Sequence, residues 1–95
     1  MAAYLIVQLT IHDPETYDRY RAQTPAVIER FGGRFVVRGG DPEVLEGEAR
    51  PGRVVVVEFP SRERAQRFYE SLEYQAILPL RLAASTGSAV LVDGV

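Results

Sequence analysis

Residues 3–12 (AYLIVQLTIH) alternate without a break, with Ala3, Leu5, Val7, Leu9 and Ile11 on one side and Tyr4, Ile6, Gln8, Thr10 and His12 on the other. This is the two-residue period of a β-strand with one dry face and one mixed face. Asp13-Pro14-Glu15 then predicts a helix start, with an N-cap acid, a proline in the first turn and a further acid beside it. Tyr17, Tyr20, Thr24, Val27 and Phe31 recur every three or four residues as the apolar stripe of that helix. Pro25 falls inside it and is expected to kink it, and Gly32-Gly33 is expected to end it in a left-handed cap.

Arg34 to Arg38 predicts a second strand, with Phe35 and Val37 on one face and Arg34, Val36 and Arg38 on the other. Gly39-Gly40-Asp41-Pro42 is a turn signal, and Glu43 to Glu46 suits a short edge strand before a brief loop around Gly47 to Gly52. The β-branched run Arg53 to Phe59, bounded by Pro51-Gly52 and Pro60, predicts a central strand. Ser61 caps a second helix in which Ala65, Phe68, Tyr69 and Leu72 fall at i, i+3, i+4 and i+7. A third helical stretch covers about Glu73 to Ala84, interrupted at Pro79, and Ser88 to Asp93 forms the last strand. The order β-α-β-(β)-β-α-(α)-β is the ferredoxin-like split βαβ pattern, an α+β fold with an antiparallel sheet, here as one domain over residues 1–95.

Composition narrows the chemistry. There is no cysteine, and all eleven basic residues are arginine, so thiolate nucleophiles, cysteine-bound metals, Schiff-base lysines and P-loops are excluded. The single histidine, His12, and scattered acids offer no metal-ligand spacing, and no cofactor is expected. A net charge of −2 argues against nucleic-acid or anionic-membrane partners. With no signal-like N-terminus, a cytoplasmic, bacterial-type protein is the expectation.

Several blocks in order resemble a known family. They are Tyr4-Leu5-Ile6-Val7, Asp13-Pro14-Glu15 with Tyr17 and Tyr20, Gly32-Gly33-Arg34-Phe35, Arg38-Gly39-Gly40 and Glu46-Gly47. Val57-Glu58-Phe59-Pro60-Ser61, Phe68-Tyr69 with Ser71, Glu73-Tyr74-Gln75 and Leu91-Val92-Asp93-Gly94 continue the series. On these the chain is similar to domain-of-unknown-function family 1330, within the dimeric α+β-barrel superfamily. Leu72 stands where the family pattern usually has proline, and Pro79 where it usually has a helix former. The resemblance implies a ferredoxin-like fold whose two copies pack sheet to sheet. It implies no activity, since the family's function is not established.

Strand parity leads to the same assembly. Two helices cover one sheet face, and Leu5, Val7, Leu9, Phe35, Val37, Val55, Val57 and Phe59 are expected beneath them. The opposite face keeps Ile6, Val36, Val54 and Val56, apolar surface that a second copy would bury. The same parity collects Tyr4, Gln8, Thr10, His12, Arg34, Arg38 and Glu58 there. A buried Glu58 needs an arginine partner, which Arg34 or Arg38 can supply. In a ligand-binding reading, Arg38 and Arg34 grip an anion or carbonyl, Tyr4, Gln8, His12 and Tyr69 line the site, and Glu58 moves a proton as catalytic base in a cofactor-independent reaction. In the alternative, the protein is a non-catalytic dimeric binding or accessory protein and the Arg/Glu cluster is structural. Tyr17 and Tyr20 are expected in the core with hydroxyls at its rim.

Overall fold

The computed structural model describes residues 1–95. The elements run β1 (Ala3–Ile11), α1 (Pro14–Arg30), β2 (Arg34–Gly39), β3 (Arg53–Phe59), α2 (Arg62–Glu70), α3 (Leu72–Ala84) and β4 (Ser85–Asp93). All neighbouring strands are antiparallel, in the order β2-β3-β1-β4. The fold is therefore α+β and ferredoxin-like, with the helices on one face.

Local chemistry sets most boundaries. Asp13 accepts the Thr16 backbone N–H at 3.2 Å and its hydroxyl at 2.7 Å, opening α1 just before Pro14. The helix closes where Gly33 N–H meets the Ile28 carbonyl and Gly32 N–H meets that of Glu29. Gly32, at φ 81°, supplies the left-handed residue this closure requires. Ser61 and Ser71 cap α2 and α3 through the backbone N–H groups of Arg64 and Tyr74.

Four expectations are corrected. Glu43 to Glu46 forms no strand, and residues 40–52 make one long connection in which Leu45 is exposed. Alternation over four residues is too short to hold a strand by itself, and this stretch pairs with neither open edge of the sheet, β2 or β4. The third helix starts at Leu72 and passes through Pro79 unbroken, its flanks fixed by the buried Ile77, Leu78 and Arg81. The last strand starts at Ser85, three residues early, because β1 offers pairing partners as far as Ile11.

The fourth correction governs the site. Arg34 and Phe35 pair with Glu58 and Val57, but Val37 pairs with Val56 and Arg38 with Val55. Val36 is thus an extra residue, a β-bulge in an edge strand, where only one side of the backbone is committed to a neighbour. The bulge exchanges the expected faces beyond it. Val37 joins Val56 and Glu58 on the free face, and Arg38 joins Phe35, Val55 and Val57 beneath the helices.

The core lies between that face and the helices, around Leu9, Val57, Phe59, Phe68, Tyr74 and Ile77. Phe68 is its hub, with ring centroids 5.2 Å from Phe59 and 4.4 Å from Tyr74. α1 packs chiefly on α3 and leaves a gap over the sheet. No helix is long and apolar enough to cross a membrane.

Candidate functional site

The expected constellation divides into two places and several outliers. On the free face, three adjacent strands bring Tyr4, Glu58 and Arg34 to one level. Tyr4 Oη donates to Glu58 Oε2 at 2.9 Å and Arg34 Nε donates to Oε1 at 2.8 Å, so both carboxylate oxygens are engaged. Those two bonds hold the Glu58 carboxyl below its usual range, with the Tyr4 bond the larger cause and slight desolvation opposing. The same bond pushes the Tyr4 hydroxyl up. A carboxylate so held is a weak base. The arrangement suits a register pin better than proton abstraction, and Glu58 is partly exposed rather than deeply buried.

Gln8 shares this face but sits four residues along β1 from Tyr4, about 13 Å away at strand rise. His12 lies past the end of β1 with its side chain exposed, tied to α3 only through its backbone N–H and the Ala84 carbonyl. Tyr69 is on the helix side, its ring 5.5 Å from that of Tyr74, lining an open groove with Leu91 and Ala89. Arg38 is the corrected residue: the bulge at Val36 removes it from Glu58 and sets its guanidinium 4.3 Å from the centre of the Phe35 ring, exposed at the sheet edge beside α1.

There it meets a second site, which the strand-by-strand reading missed. The gap between α1, α3 and the sheet is a cavity of about 40 Å³ lined by 16 residues, 11 of them hydrophobic. The remainder includes Arg21, Arg38, Arg53 and Arg81, and no acidic residue. Arg38 and Arg21 stand where the cavity opens between β2 and α1, beside a shallow surface depression they share. Arg53, at the start of β3, donates from Nε to Tyr17 Oη at 3.0 Å. Gly39 leaves room for it, since a Cβ there would lie 2.8 Å from an Arg53 nitrogen.

Deeper in, Tyr20 Oη and Tyr74 Oη are 2.8 Å apart. The Tyr20 hydroxyl is therefore inside the core and not at its rim. Burial pushes both hydroxyls up, Tyr20 far beyond the usual phenol range, and Arg81 pulls the other way on each. The Thr24 hydroxyl, on the same helical stripe as Tyr20, donates back to the Tyr20 carbonyl at 2.7 Å. Arg81, in the last turn of α3, is 5% exposed, and its Nε is buried without a hydrogen-bond partner. The four ion pairs of the chain join Arg30 to Glu73, Arg34 to Glu58, Arg62 to Asp93 and Arg67 to Glu63, and none reaches Arg81.

Two sequence signals pointed here. Arg53 has the parity of Val55 and Val57, and Arg81 continues the inner stripe Tyr74, Ile77, Leu78 at helical spacing. Chemically, the cavity offers guanidinium and phenol donors around an apolar interior, with no carboxylate or imidazole to abstract a proton.

Among known proteins, the family described as Domain of unknown function (DUF1330) matches residues 2–95. No curated relative matches the chain. A protein of unknown function from Rhodopseudomonas palustris has a similar structure, with TM-score 0.84 and 19% identity over 99% of this chain and 82% of that one. SnoaB, a cofactor-independent oxygenase from Streptomyces nogalater, is similar at TM-score 0.71 and 18% identity, covering 99% of this chain and 93% of its own. So is a de novo designed protein, Foldit4, at TM-score 0.61 and 15% identity over 100% of both chains. An oxygenase and a designed chain share this fold, so the fold carries no activity by itself.

Proposed function

We propose, for a chain that belongs to the DUF1330 family, that it is a cytoplasmic homodimer which binds a small anionic or carbonyl-bearing molecule in the cavity between its helices and its sheet. The observation that carries the reading is the charge of that cavity: four arginines and no acid line it, in a protein whose net charge is −2. Charges of one sign gathered at a largely apolar opening favour a ligand of the other sign, and the fork geometry of arginine suits planar oxygen pairs.

The cavity's groups can hold a carboxylate, or an enolate formed from a carbonyl compound, and hydrogen-bond it. They include no general base, so binding is better supported than proton transfer by this chain alone. Cofactor-independent oxygenation, the activity of SnoaB, would require the bound molecule to supply its own reactivity.

Dimerisation through the free sheet face is supported by its side chains. Val36, Val37, Val90 and Val92 are 41–54% exposed, and they flank the half-buried Ile6, Val54 and Val56. Glu58 is already neutralised there by Arg34, so a second copy would meet an apolar surface with little uncompensated charge. On this reading Tyr4, Glu58 and Arg34 belong to the interface and not to the ligand.

The test is a titration of the full-length protein with a panel of aromatic carboxylates and their amides, followed by methyl NMR. Shifts at Ile28, Val55 and Val57 are expected. Shifts confined to Ile6, Val56 and Val90 would move the ligand to the other face and overturn the reading.

A further inference from the structure

Arg81 differs in kind from the other arginines of the chain. Arg30, Arg34, Arg62 and Arg67 are paired with acids and largely open to solvent. Arg38 and Arg53 lie against aromatic rings near the cavity mouth. Arg81 is 5% exposed, has no acid partner and leaves Nε–H without an acceptor inside the core. Its position in the last turn of α3 places it near the negative end of that helix, but such a dipole supplies no hydrogen-bond acceptor to the buried Nε. A buried N–H on a charged group that lacks an acceptor costs stability, even where the rest of the guanidinium faces the Tyr74 hydroxyl.

Its surroundings have the form of a receptor. The guanidinium lines the cavity together with Tyr20 and Tyr74, whose hydroxyls form a short mutual bond and so can present one free donor. Val7, Val55 and Ile28 add apolar wall to the same cavity and offer contact to hydrocarbon.

We propose that Arg81 is the seat for the single negative charge of a small organic monoanion, a carboxylate or an equally planar two-oxygen group carried on a flat apolar body. This rests on the proposed function and adds to it the residue and the charge. Two parallel N–H donors of the guanidinium meet the two oxygens, and the Tyr20–Tyr74 pair supplies a further donor. The free space of about 40 Å³ is smaller than such an anion, so the ligand displaces the Arg38 and Arg53 side chains from their rings at the mouth.

The experiment compares benzoate with benzamide, a neutral molecule of nearly the same shape, on the wild-type chain and on Arg81→Met and Arg81→Lys. Binding is read by calorimetry, and location by the Arg81 Nε–H and the Ile28 and Val55 methyl resonances. Benzoate is expected to shift Arg81 Nε–H and to bind at least roughly tenfold more tightly than benzamide. Arg81→Met should remove that preference, and Arg81→Lys should restore part of it. Equal binding of the two probes to the wild type, both shifting the cavity methyls, would overturn the assignment to Arg81 and leave the cavity as a small-molecule site. Shifts of neither the methyls nor Nε–H with either probe would overturn the cavity reading and this inference with it.

Discussion

On the free face of the sheet, Glu58 has an acceptor oxygen for Tyr4 and another for Arg34, and every charge within reach is matched. On the helix-covered face, Arg81 is more deeply buried and has no acid at all, with Arg38 and Arg53 resting on rings near the opening. A matched cluster needs nothing more than the fold to explain it, because it fixes the register of three strands at one level. The buried Nε–H of Arg81, left without an acceptor, is what the fold alone does not explain. On the proposed reading, the polar residues that look most like an active site in one dimension are structural, and the ligand is held where the charges fail to cancel.

The sharpest way to break this comparison is Val37→Asp. With the bulge at Val36, residue 37 lies on the free face, so the variant should fold but fail to dimerise, its association weakened by at least roughly a hundredfold. Sedimentation should find a folded monomer. Regular alternation would instead bury the new charge under the helices, and an unfolded chain would restore the simple parity.

High pH separates the faces next. The Tyr20 and Tyr74 hydroxyls are raised in the fold, chiefly by burial, among Thr24, Tyr69 and the Arg81 cation. A folded-state value above the unfolded one, near 10, means that the unfolded chain loses its protons first as pH rises. Stability should then fall above about pH 10, by at most about 1.4 kcal/mol per pH unit for each tyrosine. Tyr74→Phe should flatten that slope while costing about 1 kcal/mol at neutral pH through the lost hydroxyl bond. Denaturant titrations between pH 8 and 11.5 read both effects, and an unchanged slope in the variant contradicts them.

The smallest effect belongs to the free face at low pH. Glu58 is held below its unfolded value by Tyr4 and Arg34, so its contribution is complete above about pH 4.5 and is lost as pH falls through the depressed folded value. Glu58→Gln should be slightly less stable than wild type at neutral pH and lose less on acidification. Parallel acid limbs for the two proteins would mean that the pairing contributes nothing in solution.

Most of the fold was legible because its signals are local. Asp13-Pro14 and Ser61 announce helix starts through a side chain and the next three residues, and the valine run of β3 is bounded by prolines at both ends. The bulge at Val36 was not legible, because Phe35-Val36-Val37 is apolar throughout and alternation over five residues fits either face. One hidden extra residue was enough to assign Arg38 to the wrong side. Arg81 was legible as the next position of the stripe through Tyr74, Ile77 and Leu78. An arginine in such a stripe is ordinarily read as reaching for solvent, and its isolation appears only when α1 and the sheet close around it.

The central claim is that Arg81 weakens the empty fold in order to hold an anion. Its most direct test is thermal unfolding of the wild type and Arg81→Met, each with and without benzoate at about 10 mM. The account predicts that Arg81→Met without benzoate is at least as stable as wild type, by up to about 1–4 kcal/mol, since an apolar side chain of similar length replaces an unpaired buried charge. It predicts further that benzoate raises the melting temperature of the wild type alone. An Arg81→Met chain that melts well below wild type, and is still stabilised by benzoate, would make Arg81 a structural residue and contradict the account.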